Sequence, residues 1–341
     1  MSKNKLTTDL VPFVSICTPT FNRRPFIPFL IRCFQLQTYP KDRIEWVIVD
    51  DGTDPIGDLV KDIPQVKYYY YEEKMLLGKK RNLMHQKCLG DIIVYMDDDD
   101  YYPPQRVEHA VEKLQNNPSY LLAGASEMYI YFDSKKKIYQ CGPYKQYHAT
   151  AATFAFKKEL LKDTLYDDEN AFAEETKFTK GYTIPLIQLE PLKTILVFSH
   201  KHNSLNKEKL LENPEQSKMS VSRLTVNDFV RDTDSKQFYM YDVNTILENY
   251  EPGRPENKPL VLAQIKEMEQ NREQKIQQYK AYREAQQKIA GSIEKGSDDI
   301  RREYEKKLND KNVIITELIK KVKELTNELA SYKSILTNEV K

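Results

Sequence analysis

Between residues 11 and 206, short apolar runs rich in β-branched residues alternate with longer amphipathic stretches. Residues 13–18, 46–49, 92–96 and 121–123 read as strands buried on both faces. Residues 25–37, 79–88 and 104–116 read as helices between them. The last opens with a proline, whose missing N–H costs nothing at a helix start, and Val107, Ala110, Val111 and Leu114 form one apolar stripe. Strand and helix in alternation predict an α/β fold with a mainly parallel sheet, and in such sheets ligands gather beyond the carboxyl ends of the strands.

Polar or acidic clusters fall at three of those ends: Thr18-Pro19-Thr20-Phe21-Asn22-Arg23, Asp50-Asp51-Gly52-Thr53-Asp54, and Asp97-Asp98-Asp99-Asp100. Four adjacent carboxylates repel one another and resist desolvation, so at the exit of a buried strand they need a cation to hold them together. Oxygen-only ligation suits Mg²⁺ or Mn²⁺, which keep positions open for water and for the phosphates of a substrate. Taken alone the tetrad would equally suit an exposed acidic turn; the convergence of three clusters favours a site for nucleotide chemistry.

The 52 Lys and Arg against 51 Asp and Glu give a net charge of +1, so bulk electrostatics does not point to nucleic acid or an anionic membrane. Cys17, Cys33, Cys88 and Cys141 form no CxxC pair and read as reduced packing residues. Residues 1–10 are a polar tail without the apolar core of a signal peptide, and nowhere do about 18 apolar residues run together. The expectation is a soluble, cytoplasmic protein without a transmembrane segment.

Beyond the domain expected over residues 11–206, residues 207–258 are polar and proline-containing and read as a flanking arm and linker. Residues 259–341 are dominated by helix formers, with helices expected over 260–290 and 298–340 and a break at Gly291-Ser292 and Gly296-Ser297. The second carries a heptad: Leu308, Ile315, Val322, Leu329 and Leu336 lie seven apart, with Leu318, Leu325 and Tyr332 in the alternate seam position. That spacing predicts a coiled coil of two to four strands, and hence a homo-oligomer.

Together these residues resemble a GT-A glycosyltransferase of family 2, over residues 13–206 and not over the C-terminal helices. Val14-Ser15-Ile16-Cys17-Thr18-Pro19-Thr20-Phe21-Asn22-Arg23 resembles the family's opening strand and loop. Val47-Ile48-Val49-Asp50-Asp51-Gly52-Thr53-Asp54 resembles its second strand and the turn that grips the nucleotide base. Gly78, Arg81 and Asn82, followed by Gly90-Asp91 and the strand into the tetrad, resemble the approach to its DxD signature.

The resemblance implies that Thr18, Thr20, Asn22, Arg23, Asp50, Asp51, Arg81, Asp97 and Asp98 bind a nucleotide sugar, with Asp51 accepting from the N3–H of a uracil. It implies Asp97 at the ribose or the metal, and Asp99 at a Mn²⁺ or Mg²⁺ ion that stabilises the departing diphosphate. A turn cap is the alternative for Asp50, and a shift of one residue within the tetrad stays open. Arg81, Lys79 or Arg23 would add positive charge.

Ala173-Glu174-Glu175-Thr176-Lys177-Phe178 resembles the family's ED motif with Glu for Asp, which makes Glu175 the expected catalytic base and Glu174 its fallback. His200 and His202 follow the apolar run 194–198; alternation along an extended segment would turn both imidazoles to the metal. Tyr68-Tyr69-Tyr70-Tyr71 reads as packing more than binding, and residues 144–153, with His148, lie where an acceptor should approach.

The sequence thus implies an inverting, metal-dependent transfer of a sugar from a UDP-sugar to a hydroxyl acceptor, whether glycan, protein or lipid. Two alternatives are a catalytically silent scaffold organised by its coiled coil, and a nucleotidyltransferase, which would need a glycine-rich loop that residues 18–24 lack. The Lys-, Asn- and Tyr-rich composition, with 10 glycines and 23 tyrosines, resembles family 2 transferases of large DNA viruses and of some bacteria.

Overall fold

The computed structural model describes residues 11–294 and 298–338. Two compact units divide the chain, the first ending at Lys266 and the second beginning at Glu267.

The first unit is built on a seven-stranded sheet. Its strands are β1 (Val14–Thr20), β2 (Ile44–Asp50), β3 (Val66–Tyr70), β4 (Ile92–Tyr95), β5 (Leu122–Gly124), β8 (Ala155–Lys157) and β9 (Leu186–Gln188), in the order β3-β2-β1-β4-β8-β5-β9. Strands β3, β2, β1 and β4 run parallel, as the alternating pattern predicts, whereas β8 is antiparallel to both β4 and β5. A second sheet, unexpected from the sequence, joins β6 (Met128–Phe132), β7 (Lys137–Cys141), β10 (Leu196–Ser199) and β11 (Met219–Val221) in the order β10-β6-β7-β11.

Every residue of β1 and β2 is buried, which explains their unbroken apolar character. The chain leaves β1 for β2 and β3 on one side, then crosses back to pair β4 on the other. The crevice beyond the carboxyl ends of β1 and β4 is therefore the switch point of the sheet.

Helices α1 (Ile27–Gln35), α2 (Gly57–Val60), α3 (Leu77–Lys87) and α4 (Arg106–Asn116) connect the strands, and α5 (Glu175–Phe178) is a single turn. Residues 207–258 are not a linker. They contain α6 (Pro214–Ser217), α7 (Val226–Phe229), α8 (Thr233–Gln237) and α9 (Val243–Glu248), and they bury Phe229, Val230, Phe238, Tyr239, Val243 and Leu247. Phe238 stacks on Phe29 at 3.8 Å and Tyr239 on Phe198 at 4.2 Å. These aromatic residues supply the apolar area that holds a proline-containing segment on the body.

Helix α10 (Pro259–Glu294) starts within the first unit, where Ile265 is buried and the Gln264 amide joins Ala171 N–H and the Glu169 carbonyl. The expected boundary at residue 259 thus falls several residues short of the unit's end. The helix also continues through Gly291-Ser292, since one interior glycine costs only about 1 kcal/mol against alanine; Gly296-Ser297 lies outside the described residues.

Helix α11 (Asp298–Asn338) exposes Leu308, Ile315, Leu318, Val322, Leu325 and Leu329; of the heptad, the side chains of Tyr332 and Leu336 lie outside what is described. No described helix is long and apolar enough to cross a membrane. All four cysteines are free and buried.

Candidate active site

At the switch point lies a cavity of about 240 Å³ lined by Thr20, Phe21, Arg23, Asp51, Arg81, Asp97, Asp98 and Asp99. Lys74, Lys80, Lys207 and Lys258 line it too, and none of these four was marked in the sequence.

The tetrad is fixed through its backbone. Thr18 Oγ1 donates to the Met96 carbonyl at 2.6 Å, the Asp97 N–H donates to the Tyr102 hydroxyl at 2.7 Å, and the Tyr239 hydroxyl donates to the Asp100 carbonyl at 3.1 Å. Thr18, which also accepts from the Trp46 indole, is thereby a buried support of the loop and does not line the cavity. Asp100 is likewise turned inward, accepting from Phe198 N–H at 3.3 Å; burial and Asp99 raise its pKa well above the carboxylate range.

Asp98 and Asp99 share Arg23, whose Nε lies 3.7 and 3.5 Å from them. Burial and the neighbouring Asp99 push Asp98 up to about 7 against the pull of Arg23. Burial opposes the ionisation of Asp99 as well, but the His200 hydrogen bond, at 3.1 Å from Nε2, and Arg23 more than offset it and hold Asp99 low. Asp97 faces Arg81 NH2 at 3.4 Å; burial outweighs that cation and raises its pKa.

Arg81 is the hinge of the site's electrostatics. Its Nε donates to Glu174 at 2.8 Å, its plane lies 4.4 Å from the Tyr95 ring centre, and it is buried. The buried face of α3 carries Lys80, Arg81, Met84 and His85. Lys80 reaches Asp51 and the Thr20 carbonyl, whereas Lys79 is exposed and takes no part.

Asp51 also accepts from Met75 N–H at 2.7 Å while lining the cavity. Asp50 is a turn cap: it accepts from Gly52 N–H, Ile56 N–H and the Tyr68 hydroxyl, and does not line the cavity. Asn22, in the left-handed region at φ 53°, is a tie, accepting from Asp54 N–H and donating to the Pro252 carbonyl at 2.8 Å. Both were expected at the nucleotide; their polar atoms serve the loops around it.

Glu174 and Glu175 lie outside the lining, with Glu174 joined to it through Arg81. Ala173, at φ 53°, turns the chain into α5. Glu175 has no cation partner among the described residues; the Tyr182 hydroxyl stands 3.5 Å from its Oε1, and burial together with Glu174 raises it to about 7. Tyr182 in turn stacks on His148 at 4.7 Å, and His148 lies tilted against Tyr144 at 4.6 Å.

Only one of the two histidines meets the acids. Strand β10 ends at Ser199, and the following residues turn: Asn203 Oδ1 accepts from His200 N–H at 2.9 Å. Alternation therefore stops before it could align both rings. His202 faces the segment around Gly253 instead, where a Cβ at residue 253 would lie 2.7 Å from its Nδ1. Burial lowers both imidazoles to about 4, so both are neutral at pH 7.

The carboxylates of Asp97 and Asp99 suit a hard divalent cation, whereas His200 has both ring nitrogens engaged, Nδ1 by the His202 N–H at 3.2 Å and Nε2 by Asp99. The guanidinium contacts of both carboxylates, at 3.4 and 3.5 Å, are too long to saturate their oxygens. Among the described residues no three acidic, His or Cys side chains already surround one point, so a cation would be held by one or two carboxylates and completed by substrate phosphates, as Mg²⁺ commonly is.

Residues 15–165, which hold β1, the turn after β2, α3 and the acid tetrad, match the model of glycosyl transferase family 2. This stretch is thus similar to a family 2 glycosyltransferase domain. Within it, Asp51 follows the end of β2 and the Asp97 to Asp99 run follows β4, and all four line the cavity. No curated protein matches the chain. Among solved structures, it is similar to S. aureus TarS 1–349 in complex with UDP-GlcNAc, at 21% identity over 54% of this chain and 58% of that one, with a TM-score of 0.42. It is also similar to the mannosyltransferase PcManGT from Pyrobaculum calidifontis in complex with GDP-Man and Mn²⁺, at 20% identity over 54% and 56%, with a TM-score of 0.43. The chain thus spans a little over half the length of either.

Proposed function

We propose that the chain is an inverting, metal-dependent glycosyltransferase that moves a sugar from a UDP-sugar to a hydroxyl acceptor. The observation that carries the reading is the division of carboxylates around Arg81: Asp97 on the cavity side, Glu174 bound as counter-ion, and Glu175 left without a cation and raised to about 7.

The acceptor hydroxyl attacks the anomeric carbon as the bond to the diphosphate breaks, the electron pair leaving with the diphosphate and the hydroxyl proton passing to Glu175. A carboxylate with a pKa near neutrality suits that transfer. Asp51 is the base-binding carboxylate, and the acceptor approaches along Tyr182 and His148. Asp97 and Asp99 would hold the cation, with His200 orienting Asp99. A bound Mn²⁺ or Mg²⁺ supplies positive charge to the diphosphate as it departs. Arg23 and Arg81 keep the acid loop in place around it.

The exposed heptad of α11 supports association of copies through a coiled coil, and the four free thiols suit a reducing cytoplasm. Titrating wild type, Asp51→Asn and Asp97→Asn with UDP in Mn²⁺ tests the donor reading: both substitutions should weaken binding roughly tenfold or more, and unchanged affinity in both would refute it.

A further inference from the structure

Lys258 lies 93 residues beyond the end of the family-matched stretch, 258 against 165, yet it lines the same cavity as Asp51 and the acid loop. The backbone leading to it is tied down from three sides. Asn22 donates to the Pro252 carbonyl, Arg23 to the Gly253 carbonyl at 3.1 Å and Lys74 to the Asn257 carbonyl at 2.6 Å. Beyond it, Val261 lines the cavity and Ile265 is buried, so the start of α10 is part of the same wall.

Four other cations of the cavity have partners, while Lys207 stands in the field of Asp99 and Asp100 without a hydrogen bond or ion pair among the described residues. Lys80 holds Asp51 and Thr20, Arg81 holds Glu174 and Asp97, Arg23 holds Asp98, Asp99 and two carbonyls, and Lys74 lies on the Phe21 ring at 3.9 Å. Lys258 has three donors, one long bond of 3.4 Å to Ser204 Oγ, and no ion pair among the described residues. A half-buried ammonium with donors left over is stabilised when an anion completes them.

We propose that Lys258 binds the phosphates of the nucleotide donor, so that the segment joining the catalytic domain to its C-terminal helices supplies part of the donor site. The inference rests on the donor-site reading above and adds to it a ligand from outside the family 2 stretch. Lysine acts here as a point charge, and arginine at the position should substitute in part.

The full chain, in Mn²⁺, is titrated calorimetrically with UDP, GDP, uridine and guanosine, as wild type, Lys258→Gln and Lys258→Arg. The expected result is a nucleoside diphosphate bound by wild type, a loss of roughly ten- to hundredfold in Lys258→Gln, recovery in Lys258→Arg, and unchanged affinity for the matching nucleoside. Equal diphosphate affinity in wild type and Lys258→Gln overturns this inference alone. So does an equal loss of diphosphate and nucleoside, which would mark a structural role. A wild-type chain that binds neither diphosphate overturns the donor-site reading, and this inference with it.

Discussion

Glu174 and Glu175 are adjacent and carry the same group, yet the fold parts them: one is spent on Arg81, the other stands beside a tyrosine hydroxyl. Glu175→Gln should lower kcat by about 10²- to 10⁴-fold with little effect on stability. Because burial and Glu174 raise Glu175 to about 7, its basic form predominates only above that pH, so kcat/KM should fall about tenfold per pH unit well below 7, in a profile that Glu175→Gln abolishes. Glu174→Gln removes a partner from a buried guanidinium and should cost on the order of 3 kcal/mol in urea unfolding. The sequence showed both acids but not which was free, because Arg81 lies 93 positions from Glu174. Lys80 was hidden for a related reason: hydropathy periodicity marks buried faces by apolar residues, and the buried face of α3 is partly charged.

At the level of elements, the strands that carry the site were legible because burial on both faces leaves an unbroken apolar run, and the turns after them because their acids cluster. Strand β8, three residues long, gave no such run, and of the second sheet only β10 was marked, as the apolar run 194–198. Residues 250–258 resemble a linker because their ties to the site run through backbone carbonyls, which no side-chain pattern records. His202 was misread for want of the turn that Asn203 caps. Gly253 packs so closely that a methyl group would meet His202 and the Asn22 carbonyl at 2.7 and 2.8 Å. Gly253→Ala should therefore loosen this segment, seen as faster proteolytic cleavage within residues 250–258 and weaker UDP binding.

For the whole molecule, the division of labour is between a unit that ends at Lys266 and carries the candidate site, and a second unit whose helix α11 exposes its described heptad residues. Light scattering should find the full chain as an oligomer and a chain ending at Lys266 as a monomer that still turns over. A chain ending at Lys258 should lose turnover, since it lacks Val261 at the cavity and the buried Ile265. The central claim, that the acid loop and Glu175 together transfer a sugar, is tested most directly by hydrolysis of a panel of nucleotide sugars in Mn²⁺ by wild type, Asp99→Asn and Glu175→Gln. The account predicts release of nucleoside diphosphate from at least one donor by wild type and a loss of about 10²-fold or more in each variant. Equal release by all three proteins would contradict it.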